Sequence, residues 1–480
     1  MSPFASYDVL VVEHKTRGTA RMVFSSLEFI LYFLPAFLLV YHLLPQRLRN
    51  SWLLLCSLGF YAWGTREHPE YFLLLLLSVV INFGLGRALG RSRRKAVLAA
   101  GLLFNFGTLF LFKYSGFCAG AVNSLLGTSI RTPELVLPIG ISFYTFQAAS
   151  YLIDVYRGSI SAERNSLYFA TYITMFPKLI SGPIVRYTSI RQQLHHRKAS
   201  WAGFQTGLGQ FISGLGMKVL LANRIGGLWR AVNGIGFVSV STPLAWMGIA
   251  ACSLQLYFDF WGYSLMAMGL GSMMGFSMPE NFRHPYQARS MTEFWRCWHI
   301  TLGQWFKDYV YIPLGGSRCS KAKTYRNLLV VWLLTGIWHG AGWNFLLWGL
   351  FLFVVLAIEK AGLLHILEKK PLLSRVYMLL LIPLSWLLFS VTDLQGIGIY
   401  LMRLIGLGGN SVFLRDYLKY FSQYGVVLVT GILFCTPIPY RVWDRVKKPW
   451  ATAVALLVIF LSCLYYLYQG LNDPFLYFNF

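Results

Sequence analysis

Charge is scarce in these 480 residues: Asp, Glu, Lys and Arg together make up 12%, and only 18 residues are acidic. An ordinary soluble domain carries about twice that share of charge, so this chain has too little polar surface to face water all round. Paired cysteines are missing too. The seven cysteines stand singly at 56, 118, 252, 297, 319, 435 and 463, with no C-x-x-C, which argues against a disulfide framework or a zinc site. There is no Walker A loop, no G-x-G-x-x-G turn and no G-x-S-x-G elbow; the common nucleotide-binding folds and the serine-hydrolase elbow drop out. No two carboxylates stand close enough in sequence to suggest glycosidase chemistry.

What is abundant is hydrocarbon. Hydrophobic residues make up 56% and mean hydropathy is +0.54, so lipid is the solvent for much of the chain. A crossing needs about 20 mainly apolar residues. On that template candidate stretches fall near 24–44, 71–86, 97–117, 135–153, 167–183, 205–221, 243–270, 327–360 (broken), 376–392, 424–437 and 451–469, with 51–63 apolar but short. The expectation is an all-α polytopic membrane protein of roughly eleven transmembrane helices plus re-entrant or interfacial helices. Residues 1–21 read as a non-essential extension, with Met22 as the natural start, and 22–480 as a single transmembrane domain whose catalytic core covers about 137–360.

The net charge of +24 is spread between the apolar runs, which reads as loop anchoring and not as nucleic-acid binding. Its clusters are Arg87, Arg91, Arg93, Arg94 and Lys95; Arg186, Arg191, Arg197 and Lys198; Arg318, Lys321, Lys323 and Arg326; and Arg441, Arg445, Lys447 and Lys448. The positive-inside rule places all four in the cytoplasm. Three apolar stretches lie between the first two clusters. An odd number cannot return the chain to the same side, so one of them is expected to be re-entrant or surface-lying.

Most of the nine histidines have ordinary readings. His14 lies in the extension; His42, His68, His195, His196 and His365 sit beside charges or at span ends, and His284 is a loop residue before a proline. His339 differs. It falls in an apolar run broken at Gly336, Gly340 and Gly342, where a break leaves a first piece of about 12 residues, too short to cross. An ionisable group at that depth marks a functional site by default, against the plainer alternative of a neutral ring bonded to a neighbouring helix. In TEFWRCWHITLGQWFKD, Trp295, His299, Leu302 and Phe306 share one face of a helix at i, i+4, i+7 and i+11. That segment reads equally well as an interfacial amphipathic helix or as a polar wall leading to His339. Asp259, in an apolar run, should need a partner, and Asp154 is expected to pair with Arg157. Cys297 reads as a buried, inert thiol.

Several blocks together carry a resemblance. ENFRHPYQARSMTEFWRCWHITLGQWFKDYVYIPLGGSR (280–318) and WHGAGWNFLLWG (338–349) are similar to the signature of membrane-bound O-acyltransferases. LPIGISFYTFQAASYLIDVYRG (137–158), FPKLISGPIVRY (176–187) and YFDFWGYSLMAMGLGSMMGF (257–276) follow the family in the same order. Within it, the YIPLGGSR stretch resembles the bacterial alginate O-acetyltransferase membrane component and relatives acting in polysaccharide and peptidoglycan acetylation. Trp261 and Leu265 stand where the family commonly has serine and aspartate, Cys297 where a second arginine often follows Arg296, and Ser390 where an arginine is frequent.

The resemblance implies acetyl transfer from cytoplasmic acetyl-CoA, a substrate and not a bound cofactor, to an extracytoplasmic polysaccharide through a separate partner transferase. It places the chain in the bacterial cytoplasmic membrane and calls for no metal. It implies His339 as general base and His299 as a positioning residue. Trp295, Arg296, Trp298, Trp338, Trp343, Asn344, Asp308 and Asp259 become tunnel-lining candidates, with Arg318 and Lys321 for the CoA phosphates. D-alanyl transfer to teichoic acid by the same fold is the nearer alternative, and a transporter, also built of broken helices, the more distant one.

Overall fold

The computed structural model describes residues 23–132, 135–180, 182–407, 413, 415–446 and 448–470; the extension at 1–21 and Lys447 lie outside them. Among the described residues the regular structure is helical, with no strand, because a helix satisfies its own backbone inside lipid. The elements that position the site are α1 (Gln46–Gly64), α2 (Pro69–Arg91), α3 (Lys95–Lys113), α4 (Ile141–Arg157), α5 (Trp201–Gly216), α6 (Thr242–Met273), α7 (Met291–Cys297), α8 (Ile300–Phe306), α9 (Lys321–His339), α10 (Trp343–Ile358) and α11 (Pro371–Ser390).

Among the described residues, five helices are long and apolar enough to cross a membrane: α2, α3, α10 with its continuation to Lys369, α11 and Pro449–Tyr468. Asp416–Phe434 and Ile438–Val446, bent by 75°, make a sixth if taken together. The remaining stretches of the eleven are shorter, broken or more polar. That at 24–44 begins with a π turn and gives the apolar helix Phe29–Leu43.

The centre of the molecule is α6, 32 residues long and buried along nearly its whole length. A helix apolar on every side belongs in the interior. It packs against α5 through reciprocal glycines: a Cβ on Gly207 would meet the Gly269 carbonyl at 2.5 Å, and one on Gly214 would meet the Gly262 carbonyl at 2.4 Å. Small residues at this spacing let two backbones touch where lipid supplies no hydrophobic drive. Asp259 on this helix has the partner its burial demands, the Lys218 ammonium at 2.5 Å. Two of the departing positions are packed without charge: Trp261 stacks on Tyr257, and the Cys252 thiol donates to Ser390 Oγ at 3.2 Å.

The parity problem resolves at 166–187. This stretch is two short helices, Ser166–Thr174 and Phe176–Leu179, and not a span. It climbs from the Arg157 end of α4 until the Leu179 carbonyl lies against Gly140 at the opposite end. It then returns, so that the Tyr187 hydroxyl reaches Glu163 and Arg191 donates to Ser161 Oγ at 2.8 Å. The segment is re-entrant, and the first two basic clusters share one face. Asp154 does not pair with Arg157. Its Oδ2 accepts from the Tyr309 hydroxyl at 2.8 Å, whereas Arg157 lies over the Tyr309 ring and donates to the Asp308 carbonyl. Both side chains converge on Tyr309, the carboxylate at its hydroxyl and the guanidinium over its ring.

Candidate functional site

His339 is the last residue of α9. The helix is 19 residues long, not the expected 12, because Ser320 caps it seven residues earlier than the apolar run begins, accepting from the Lys323 amide. Beyond His339, Gly340 and Gly342 run extended and α10 turns back against α9. The hairpin closes tightly: a Cβ on Gly336 would meet the Phe345 carbonyl at 2.4 Å, and one on Gly349 the Trp332 carbonyl at 2.5 Å. Counted from Arg326, the last cation of α9, His339 lies about 20 Å along the helix axis.

The carbonyls that end α9 have no partner within the helix. The Lys113 ammonium supplies one, donating to the carbonyls of Trp338 (2.7 Å) and His339 (2.9 Å), and the Tyr114 hydroxyl donates to that of Ile337 (2.6 Å). Reading the sequence missed Lys113; its only signal is a lone lysine closing an apolar run. The buried His339 ring sits among Trp338, Trp348 and Phe389, with centroids at 4.9, 5.1 and 5.1 Å.

His299 does not extend the face of Trp295. The helix breaks between α7 and α8, and His299 takes φ +43°, a left-handed conformation costing a non-glycine residue about 1–3 kcal/mol. The turn is stitched to the preceding segment, with Arg283 N–H donating to the Cys297 carbonyl and Ile300 N–H to that of Asn281, both at 3.0 Å. The α7 end is anchored by Glu359, whose buried carboxylate accepts from the amides of Met291 (2.6 Å) and Thr292 (2.8 Å). The break turns the His299 ring inward, edge-on to Phe260 at 4.7 Å and 6.1 Å from Trp338.

Neighbouring bonds determine its tautomer. Asn281 Oδ1 accepts from the Thr301 amide (3.3 Å) and hydroxyl (2.7 Å), which identifies it as the oxygen, and it lies 3.3 Å from His299 Nδ1. An acceptor there requires the proton on Nδ1 and leaves Nε2 bare. Asn281→Leu is expected to lower transfer activity about 10–100-fold, the usual cost of losing a ring-orienting partner. Asn281→Asp, which keeps the acceptor, should restore most of it when both variants are assayed at equal membrane abundance.

The tunnel candidates divide. Trp295, Trp298, Trp338 and Asn344 gather around the histidines: Trp295 contacts Trp348 at 5.6 Å, Trp298 lies 4.7 Å from Trp386, and Asn344 Nδ2 donates to the Phe389 carbonyl at 3.1 Å. Buried polar atoms left without a hydrogen bond to any described residue cluster here: His299 Nε2, Trp338 Nε1, Trp295 Nε1 and Asn344 Oδ1. Each such atom left unpaired costs about 1–3 kcal/mol, and these four belong to residues grouped about the two histidines.

The other candidates stand elsewhere. Trp343 is 52% exposed against Phe117, Asp308 pairs with Arg186 at 2.7 Å, and Asp259 is held by Lys218. Arg296, Arg318 and Lys321 are exposed, and Cys297 is free and only half-buried.

Comparison with known proteins fits this geometry. The model of MBOAT, the membrane-bound O-acyltransferase family, matches residues 159–396. The chain is 42% identical to the probable alginate O-acetylase AlgI of Pseudomonas aeruginosa over 385 residues, 78% of this chain and 73% of the relative. It is 30% identical to the peptidoglycan O-acetyltransferase of Helicobacter pylori over 96% of this chain and 98% of the relative. Similarity to the teichoic acid D-alanyltransferase of Bacillus subtilis, at 27% identity, covers 45% of this chain and 58% of the relative.

Proposed function

The chain belongs to the membrane-bound O-acyltransferase family, and from that premise we propose that it moves an acetyl group from cytoplasmic acetyl-CoA to serve O-acetylation of an extracytoplasmic polysaccharide. The observation that carries this reading is the pairing of His299 and His339 across Trp338, ringed by buried polar atoms that bond to no described residue. In this reaction a hydroxyl oxygen attacks the thioester carbonyl carbon, the C–S bond breaks, and the thiolate leaves with a proton. His339 takes the hydroxyl proton as general base and returns it to the sulfur.

The developing oxyanion needs a fixed donor, and the Trp338 indole N–H, between the two histidine rings, is a buried donor that bonds to no described residue. His299, bare at Nε2, accepts from a substrate N–H or O–H other than the reacting hydroxyl and so positions the substrate. Asn344, Trp295 and Trp298 complete the wall. The exposed Arg318 and Lys321 beside the start of α9 suit the CoA phosphates, placing the donor on the basic face and the acceptor on the other.

The membrane is the bacterial cytoplasmic membrane, and the transfer is finished by a separate extracytoplasmic transferase. The test is ester content of the envelope and secreted polymers in wild type, a deletion strain and the deletion strain carrying the restored gene, with acetyl and D-alanyl esters quantified separately. Loss of O-acetyl alone in the deletion, restored by the gene, is expected. Loss of D-alanyl instead overturns the acetyl assignment. Purified protein that acetylates polysaccharide unaided overturns the dependence on a partner.

A further inference from the structure

At the basic ends of α2 and α4, a recess of about 370 Å³ is lined by Arg87, Arg91, Arg93 and Arg164 together with Ser161. The loop that closes it, 158–165, lies against the end of α2: a Cβ on Gly90 would meet that of Ala162 at 2.7 Å, and the Arg93 guanidinium rests directly on Gly158. A fifth arginine, Arg191, donates to Ser161 Oγ at 2.8 Å.

None of the four lining arginines forms an ion pair with a described carboxylate. The acid of this loop, Glu163, is already committed. It accepts from the amides of Arg164 (2.7 Å) and Asn165 (2.8 Å), from the Tyr187 hydroxyl and from His195 Nε2 at 2.9 Å. Burial alone would raise its pKa, but these hydrogen bonds outweigh it and hold the carboxyl below its usual range, ionised and turned to its own partners. Positive-inside anchoring and helix C-termini account for cations on this face. They do not account for four guanidinia around one recess with no carboxylate among them.

We propose that this recess binds a phosphate-bearing anion, held by bidentate contacts from Arg87, Arg91, Arg93 and Arg164. Guanidinium forks match phosphate oxygens in pairs, and the position at the basic membrane face admits two sources, an anionic phospholipid headgroup or a soluble phosphate compound such as CoA. With a phospholipid headgroup bound, the site stands apart from the acyl-transfer reading; with CoA bound, it rests on that reading and adds a contact to the donor's phosphates beyond Arg318 and Lys321, and the binding assays report on it whatever the ester analysis shows.

The test uses the full chain in nanodiscs containing phosphatidylglycerol, with retained lipid measured by native mass spectrometry and CoA binding by calorimetry. The triple variant Arg87→Gln, Arg91→Gln, Arg164→Gln is expected to lose at least tenfold in one of these affinities. The double variant Arg441→Gln, Arg445→Gln, which removes charge from another basic cluster, should keep both. Loss of lipid with CoA unchanged identifies a headgroup; loss of CoA with lipid unchanged identifies the soluble source. An equal loss in both sets of variants, or none in the triple variant at unchanged melting temperature, overturns the proposal. Should the Gln variant fail to insert, Arg87→Lys, Arg91→Lys, Arg164→Lys preserves the orienting charge but not the forks: a several-fold loss supports the site, and wild-type binding overturns it.

Discussion

Replacing His339 with alanine is expected to lower acyl transfer about 10²–10⁴-fold, the usual contribution of a positioned general base, while leaving the protein in the membrane at normal abundance. The ring is enclosed by Trp338, Trp348 and Phe389, so its loss leaves a cavity as well as removing a proton acceptor. The two consequences separate by measurement. A cavity lowers melting temperature, whereas loss of the base lowers the turnover number without a matching change in KM. His299→Ala should show the reverse emphasis, a raised KM, if Nε2 of that ring holds the substrate as proposed. Full transfer by His339→Ala at equal abundance would remove the assignment of the base.

The second large effect concerns the hairpin that carries this ring. Gly336→Leu should destabilise the protein by about 3 kcal/mol or more, at the upper end of overpacking costs, because the new side chain meets a backbone carbonyl at 2.4 Å. A carbonyl in a helix has no rotamer by which to escape. The helices must separate instead, shifting His339 with them, and a displacement of about 1 Å at a reacting group is enough to cost about 10²-fold in rate. Gly107→Leu supplies the control, since a Cβ there meets nothing within 4 Å. Thermal melting of detergent-purified protein and transfer activity should both fall for the first variant and stay near wild type for the second.

Much of this was legible in the residues. A carboxylate in an apolar run must have a counter-ion, and Asp259 has one in Lys218; an odd number of stretches between two basic clusters implied a re-entrant or surface-lying piece, and the chain turns back on itself at 166–187. The ordered blocks led to the family, and the glycine break led to His339. What periodicity could not show was the break at His299. Spacing of apolar residues continues smoothly through Trp298 and His299, whereas the φ of +43° is imposed from outside, by bonds to a segment some 16 residues earlier. Lys113, Asn281 and Glu359 were missed for the same reason. Each acts on backbone or ring atoms far away in sequence, and a composition window sees only a single polar residue. The exposed Trp343 shows the converse: adjacency to His339 in sequence does not put a side chain beside it once the chain has turned.

The returning segment at 166–187 also bears on how the protein's compartments are assigned experimentally. A tag inserted near residue 160 and another near residue 198 should report the same side, although an apolar stretch long enough for a hydropathy plot to mark as a crossing lies between them. A map built by counting peaks would invert every loop downstream of it. Thiol labelling is the better guide, because single cysteines introduced at Ser161 and Lys198 should react with an impermeant reagent from one side only, and from the same one.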